Sequence, residues 1–367
     1  MIPILVAIAL IPRLLYAWYH PGIIFTPDSA IYYDFGRQLL SNFTVKFIFN
    51  PFKAPLYGIA NFFSTPDILV ILQMGIGILT TILVYRLSKN FLVATLASWN
   101  MLVIPWERAI LSEAFATVWV LIFSYLFIKK TNWGLFFVVC VTGLFLRTAL
   151  MFLPIVALIL LRKNKMAIIS LLCYLAIIVG LIALNAVNWG YRGLQITSDI
   201  NLFGKILQYN LPIESAKSHT YFYTIVSDYR TKNLELHPYK LLDYYDPDIY
   251  VNGQKLQELR AFTIQVLVNS LPRYIAGSLF DIPKALMEID PYIESQPLGF
   301  LQKIYAILQT IAFFVMLGGR KSVTWLFALT QVLVAVFLSY GEYGRLISVV
   351  SPLIFVNGYL AIFKNRS

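Results

Sequence analysis

Charged side chains that lie beside long apolar runs are the residues of this sequence best suited to chemistry. An ionisable group near a bilayer is usually functional or paired with an opposite charge. Carboxylates can act as general bases, and Lys or Arg side chains can bind phosphate. We therefore expect a polar cavity at one membrane face, built from Arg13, Asp28, Lys53, Glu107, Arg108, Glu113, Arg147, Glu342 and Arg345.

Two of these residues lie in short motifs between the first and second apolar runs. Asp28 follows a proline in TPDSAIYYDFGR, so it could cap a helix or hold a general base at the cavity rim. The two roles do not exclude each other. Lys53 lies in KAPLY and is either a solvated loop charge or a point charge that binds a phosphate at the headgroup level.

The remaining motifs also have two interpretations each. Arg147 either snorkels to the outer interface or binds phosphate through its planar donor fork. Arg108 and Glu113 lie in ERAILSE, which either supplies an intramolecular ion pair and acids that complement a helix dipole, or contributes to the functional cavity. Glu342 and Arg345, in EYGR, have the i, i+3 spacing of a helical ion pair. From these residues alone, the structural and the functional interpretations stay open.

The sequence contains no motif typical of disulfide-stabilised, metal-binding or nucleotide-binding proteins. Cys140 and Cys173 lie in apolar runs and offer neither a disulfide framework nor metal-ligand spacing. The three histidines are scattered, and P-loop, GxGxxG and HExxH motifs are missing. No cofactor is therefore predicted, and a divalent metal is neither indicated nor excluded.

Composition places the chain in a membrane. Hydrophobic residues make up 59% of it and charged residues 13%, whereas a soluble domain is nearer half apolar and a quarter charged. A spanning helix needs about 20 apolar residues. We therefore predict an all-α polytopic membrane protein with about ten transmembrane segments, in the runs 1–19, 68–85, 91–105, 109–128, 133–146, 148–161, 166–186, 300–318, 323–340 and 346–363.

The basic residues predict the orientation. The short runs 133–146 and 148–161 both have Lys and Arg at their far ends, which favours a hairpin with Arg147 near its outer tip. Ten segments then place both termini in the cytoplasm, and the cavity faces the periplasm or outside of a plasma (inner) membrane. The inside loops hold eleven Lys and Arg and no acid, which accounts for the net charge of +11 without a nucleic-acid partner.

Two outer stretches divide the chain. Residues 1–186 are predicted to form an N-terminal transmembrane module whose first outer loop covers 20–66. Residues 187–299 form an outer, periplasmic region, and residues 300–367 a C-terminal transmembrane module. The first apolar run has no basic n-region or cleavage site, so we expect it to be a retained span.

Both outer stretches contain an amphipathic segment that we expect to lie in the membrane interface. Within 29–41, the apolar residues Ile31, Phe35 and Leu39 recur on one helical face. The stretch 262–280 is also amphipathic and is broken by a proline. The predicted architecture therefore combines transmembrane segments with interfacial helices in the outer loops.

The order of these motifs resembles the GT-C class of membrane glycosyltransferases, in particular bacterial members related to protein mannosyltransferases and lipid A aminoarabinose transferase, a glycosyltransferase family 39-like pattern. The resemblance covers nearly the whole chain. Each motif is short, and their shared order is the specific feature. The matching pieces are Arg13, DSAIYY from Asp28, KAPLY from Lys53, LSE ending at Glu113, GLFLR ending at Arg147, NSLPRY from Asn269 and EYGRLISVVSP from Glu342.

The resemblance implies that Asp28 is the catalytic aspartate and that Lys53 contacts the donor phosphate. Arg147 and Arg345 are expected to stabilise the same phosphate. Ser29 stands where protein mannosyltransferases have an acid, which leaves the acceptor open between a lipid, a glycan and a protein. The residues expected to support the cavity are Arg13, Tyr32, Arg108, Glu113 and Glu342.

The resulting hypothesis is transfer of a sugar, with inversion, from a polyprenyl-phosphate donor at the outer face of the membrane, among membrane lipids. One alternative is a lipid-linked glycan transporter or flippase, although the halves show no repeat and the charges avoid the midplane. Another is a non-catalytic assembly protein, which would not need Asp28, Lys53 and Arg345 to converge. A third is a polymerase or ligase that uses a diphosphate-linked donor.

Overall fold

The protein is built from α-helices. The computed structural model describes residues 1–39, 41–52, 54–129, 132–294, 298–319 and 322–363. It is 78% helical, and the described ranges contain no strand apart from an isolated bridge between Ile24 and Ala109. The prediction of an all-α fold is therefore confirmed.

The helices follow one another with short connections. Four 3-10 helices, at Ile104–Arg108, Thr148–Met151, Glu214–Ala216 and Ile249–Val251, lie among them. The α-helices of the described ranges are α1 (Ile2–Tyr19), α2 (Pro27–Gln38), α3 (Val45–Ile48), α4 (Pro55–Phe62), α5 (Pro66–Ser88), α6 (Phe91–Ser98), α7 (Glu113–Lys129), α8 (Trp133–Leu146), α9 (Phe152–Leu160), α10 (Lys165–Trp189), α11 (Ile196–Gln208), α12 (Thr220–Thr231), α13 (Pro238–Tyr245), α14 (Gly253–Asn269), α15 (Leu271–Met287), α16 (Gly299–Gly318), α17 (Val323–Leu338), α18 (Tyr343–Ser348) and α19 (Ser351–Phe363).

Four helices of the described chain, α1, α5, α10 and α16, are long and apolar enough to cross a membrane. Shorter apolar helices include α8, α17 and α19. Large apolar side chains on α10, such as Leu172 and Val179, are exposed on its surface. Because the surface that these residues present suits hydrocarbon rather than water, the chain is a membrane protein. The count of ten spans stays a prediction.

The structure differs from the predicted segment at 91–105. Helix α6 has only eight residues, which span about 12 Å, far less than the roughly 30 Å of hydrocarbon in a bilayer. Turns and the 3-10 helix Ile104–Arg108 follow it, and residues 100–114 are all buried. Irregular backbone is tolerated at membrane depth when protein surrounds it. The apolar composition of this run therefore reflects burial in the helix bundle.

The predicted amphipathic helix at 29–41 begins earlier, as α2. Its N-cap is Thr26, whose backbone N–H donates to Ser29 Oγ at 2.9 Å in a capping box, so of the two roles open to Asp28 the structure excludes that of N-cap. Phe35 is buried as expected, whereas Ile31 is exposed. Because Thr26 and Ser29 cap the helix, the Asp28 carboxylate is free for other contacts.

The buried apolar side chains form two large cores, which come from different parts of the chain. The larger one contains buried residues of the helices before α11 and after α14. The other is formed by residues between Tyr191 and Tyr274, from α11 to α15, and its central side chains include Phe203, Phe222 and Phe262. The predicted break within 262–280 lies between α14 and α15, where Pro272 occupies the first turn of α15.

A buried ion pair fixes the irregular segment to the long helices. Arg13 of α1 donates to both oxygens of Glu107, from Nε at 2.7 Å and from Nη2 at 2.6 Å. Gln73 of α5 donates to the carbonyls of Glu107 and Ala109. A Cβ at Gly77 would lie 2.0 Å from Glu107 Oε1, so the pair occupies the space that this glycine leaves.

We therefore predict that Gly77→Ala lowers the free energy of unfolding by about 1–3 kcal/mol, because the added methyl group overpacks the site and displaces the ion pair. Gly75→Ala on the same helix is the matched control, since nothing lies within 4 Å of its Cβ position. Thermal unfolding of both variants in detergent measures the difference. Equal midpoints for the two variants would contradict this role of Gly77.

Candidate functional site

Five of the predicted site residues form one cluster of opposite charges. We call Asp28, Glu113, Arg147, Glu342 and Arg345 the carboxylate–arginine cluster. Asp28 lies in the first turn of α2, and Glu113 is the first residue of α7. Arg147 follows α8, while Glu342 and Arg345 lie at the start of α18. Four separate parts of the chain therefore supply the charges.

Glu113 lies at the centre of the cluster. Its Oε1 atom accepts a hydrogen bond from Arg147 Nη1 at 2.8 Å and another from Arg345 Nε. Arg345 Nη1 also donates to Asp28 Oδ2 at 2.5 Å, and lies 3.5 Å from Glu342 Oε2. One carboxylate thus binds two guanidinium groups, and one of these reaches a second carboxylate.

Exposure changes from one side of the cluster to the other. The side chain of Glu113 is 1% exposed, and those of Arg147 and Arg345 are 13% and 10% exposed. Asp28 and Glu342 are much more open, at 44% and 45%. The arginines therefore form the floor of the site, and two accessible carboxylates form its rim.

Several donors and one acceptor in the cluster have no partner among the described residues. They are Arg345 Nη2, Arg147 Nε and Nη2, and Glu113 Oε2. Guanidinium groups with open donors are the protein groups that best match phosphate or carboxylate oxygens. The same described residues contain no group of three His, Cys, Asp or Glu side chains placed to hold a metal ion. The open donors favour an anionic ligand.

Local backbone features place these side chains. Arg147 has extended backbone, with φ −162° and ψ 121°, where α8 ends. Gly341 has φ +68°, a conformation that suits glycine, directly before Glu342 and α18. Helix α8 therefore ends at Arg147, and the chain bends at Gly341 just before α18.

Tyrosines from the first outer loop pack beside the cluster. Tyr32 of α2 and Tyr57 of α4 meet edge to face, with ring centroids 5.0 Å apart. Tyr57 Oη donates to Gln73 Oε1 at 2.9 Å, which joins α4 to α5. Both tyrosines belong to motifs of the predicted site, DSAIYY and KAPLY, and the structure packs these two motifs against each other.

Two predicted supporting residues bind elsewhere. Arg13 pairs with Glu107, as described above. Arg108 donates to the carbonyls of Pro21 at 2.7 Å and Gly22 at 3.0 Å, so it holds the start of the first outer loop. In these contacts both arginines stabilise backbone segments. Lys53 lies outside the described residues.

A second polar network, which the sequence did not predict, lies next to the cluster. We call Lys205, Gln208, Tyr209, Asp281 and Tyr343 the Lys205 network. Asp281 Oδ2 accepts hydrogen bonds from Gln208 Nε2 at 2.7 Å, Tyr209 Oη at 2.5 Å and Tyr343 Oη at 2.7 Å. Lys205 Nζ, fully buried, lies 3.4 Å from the same oxygen and donates to both tyrosines. Burial lowers the pKa of Lys205 to about 8, although Asp281 opposes this.

The Lys205 network connects α11 and α15 to α18. Lys205 belongs to α11 and Asp281 to α15, whereas Tyr343 begins α18, two residues before Arg345. The one available sequence signal was Tyr343, which lies within the EYGR motif. Because the partners are far apart in the chain, their contacts could not be read from spacing.

The fold and the cluster define an all-α membrane protein with a charged site at one set of helix ends. No family model, curated protein or solved structure matches the chain. The resemblance to GT-C glycosyltransferases thus stands on the order of its motifs alone.

We predict that Lys205→Met lowers the free energy of unfolding by about 2–4 kcal/mol, because it leaves the largely buried Asp281 without its cation. Lys232→Met is the control, since Lys232 forms an exposed i, i+4 ion pair with Asp228 and should leave stability nearly unchanged. Thermal unfolding in detergent checks both. Similar small losses of stability in the two variants would show that the Lys205 network contributes little to the free energy of unfolding.

Proposed function

We propose that this protein is a glycosyltransferase. It moves a sugar from a polyprenyl-phosphate-linked donor to a lipid, glycan or protein acceptor at the outer face of the plasma membrane. The observation that carries the proposal is the convergence of Asp28 with Arg147 and Arg345 around Glu113. This combination supplies an accessible carboxylate beside two guanidinium groups, as transfer from a phosphate leaving group requires.

Asp28 serves as the general base. Its 44% exposed side chain lies at the rim, where an acceptor can approach it. The carboxylate takes the proton from the acceptor nucleophile, and the nucleophile forms a bond to the anomeric carbon. The bond between that carbon and the phosphate oxygen breaks, and its electron pair leaves with the phosphate. A single displacement of this kind inverts the anomeric centre.

The arginines stabilise the leaving group. As the bond breaks, negative charge grows on the lipid phosphate, and fixed cations beside it lower the energy of the transition state. Arg147 and Arg345 are held by Glu113 before any ligand binds, so little reorganisation is needed. Lys53, which follows α2 and α3 in sequence and precedes α4, supplies a further cation for the phosphate.

The distribution of charges along the helices supports an outward-facing site. Glu113 begins α7, and Lys129 ends it. Arg147 follows α8, and Arg345 follows α17, so the cluster collects helix ends opposite the basic loops. The positive-inside rule then puts the basic loops and both termini in the cytoplasm, with about ten segments between them.

We predict that Asp28→Asn lowers transfer of sugar from a purified polyprenyl-phosphate donor at least about 10²-fold, the usual contribution of a positioned base. Asp34→Asn is the matched control, because Asp34 is an exposed carboxylate on the same helix. A panel of lipid-linked donors with radiolabelled sugars provides the assay. Near-normal transfer by a folded Asp28→Asn variant would refute the base assignment.

We predict that Lys53→Ala weakens donor binding and slows turnover, because it removes one cation from the phosphate. Lys46→Ala, which changes an exposed lysine of the same outer loop, should have a much smaller effect. Initial rates over a range of donor concentrations separate the two quantities. An unchanged donor dependence together with an unchanged maximal rate would count against the phosphate role of Lys53.

A further inference from the structure

The donor groups of Arg345 are only partly free. A guanidinium can bind an anion through two parallel hydrogen bonds, either from Nε with one Nη group or from both Nη groups. In this structure Nε donates to Glu113 and Nη1 donates to Asp28, while Nη2 donates to no described residue. In each of these two donor pairs, one nitrogen is therefore bound to a carboxylate, and the shared Nη2 is open.

A phosphate that binds Arg345 through Nη1 and Nη2 competes with Asp28, and one that binds through Nε and Nη2 competes with Glu113. Glu113 is buried, and it also holds Arg147. If Glu113 moved away, the Arg147 guanidinium would lose the carboxylate that pairs with it, and removing one partner of a buried ion pair is costly. Asp28 is 44% exposed and lies in the first turn of α2, so its carboxylate can turn to solvent. The structure thus makes Asp28 the carboxylate that leaves.

We propose that the donor phosphate displaces Asp28 from Arg345, and that this exchange releases the carboxylate to accept the acceptor's proton. The inference rests on the proposed function and adds an order of events to it. Until the phosphate arrives, Asp28 Oδ2 is bound to a guanidinium. After the exchange both oxygens of Asp28 are available, and the anomeric carbon has arrived with the phosphate.

The charge of the buried floor favours such an exchange. One anion replaces another on the same guanidinium, so Arg345 is never left without a counter-charge. The Nε and Nη2 groups of Arg147 donate to no described residue and can take a second phosphate oxygen. Glu113 stays in place and keeps both guanidinium groups beside the phosphate.

Binding of a phosphate probe tests the exchange without requiring the sugar to be known. Because Asp28 and the phosphate compete for Arg345, removing the Asp28 charge should strengthen phosphate binding, whereas the same substitution abolishes transfer. We expect the purified full-length Asp28→Asn variant to bind a polyprenyl monophosphate in detergent micelles about tenfold more tightly than wild type, within the usual range for coupled sites. Binding of the matching polyprenol, which lacks the phosphate, should not change.

Asp34→Asn is the control for simple charge removal. Asp34 is an exposed carboxylate of α2 that is not part of the carboxylate–arginine cluster, so its removal should change binding less than about threefold. In the Asp28→Asn background, adding Arg345→Lys should abolish the gain, because lysine lacks the donor fork. A parallel titration with inorganic phosphate distinguishes a free phosphate ion from a lipid headgroup as the ligand.

The outcomes separate the exchange from the proposed function. If wild type binds the polyprenyl phosphate and Asp28→Asn binds it equally or more weakly, the exchange is wrong and the transferase proposal stands. A gain of the same size in Asp34→Asn would also overturn the exchange, since removal of any carboxylate of α2 would then produce it. If no variant binds the phosphate probe, both proposals are overturned.

Discussion

The carboxylate of Glu113 binds two guanidinium groups in a buried position, and the arrangement of the surrounding helices depends on this contact. Arg147 and Arg345 would repel each other at this distance without an anion between them, and Glu113 would be costly to bury without its cations. The three charges are therefore stable only as a set. Since they come from the start of α7, the end of α8 and the short helix α18, their pairing fixes three chain segments around one point.

The irregular segment before Glu113 must also have its buried polar groups paired. Its backbone N–H and C=O groups are buried beside membrane helices, and each one needs a hydrogen-bond partner. Gln73 satisfies two of its carbonyls, and the backbone N–H of Leu102 donates to Asn100 Oδ1 at 3.0 Å. Arg13 holds Glu107 in the same segment. This set of buried polar contacts satisfies the backbone that leads to the site, so several charged residues that look functional in the sequence have a structural role.

Sequence patterns predicted the parts of the structure that depend on solvent preference. Apolar length located α1, α5, α10 and α16, and the charged residues singled out beside the apolar runs include the five that the structure brings together. Hydropathy could not show that the run at 91–105 breaks after Ser98, because a buried loop and a spanning helix are equally apolar. It also could not show that Lys205 faces Asp281, since the choice of partner depends on how distant helices pack. Patterns of polarity report which environment a residue prefers and carry little information on which residue it meets there.

Helix α18 is the element that the two polar networks share. A helix of six residues is too short to be stable by itself, so contacts with its surroundings determine its position. Tyr343 enters the Lys205 network, and Arg345 enters the carboxylate–arginine cluster. Residues two apart on a helix point in different directions, so these contacts hold α18 from two sides. Burying Lys205 and Asp281 carries a desolvation cost that an apolar pair would avoid. Through Tyr343, α11 and α15 therefore help to determine where the Arg345 guanidinium lies.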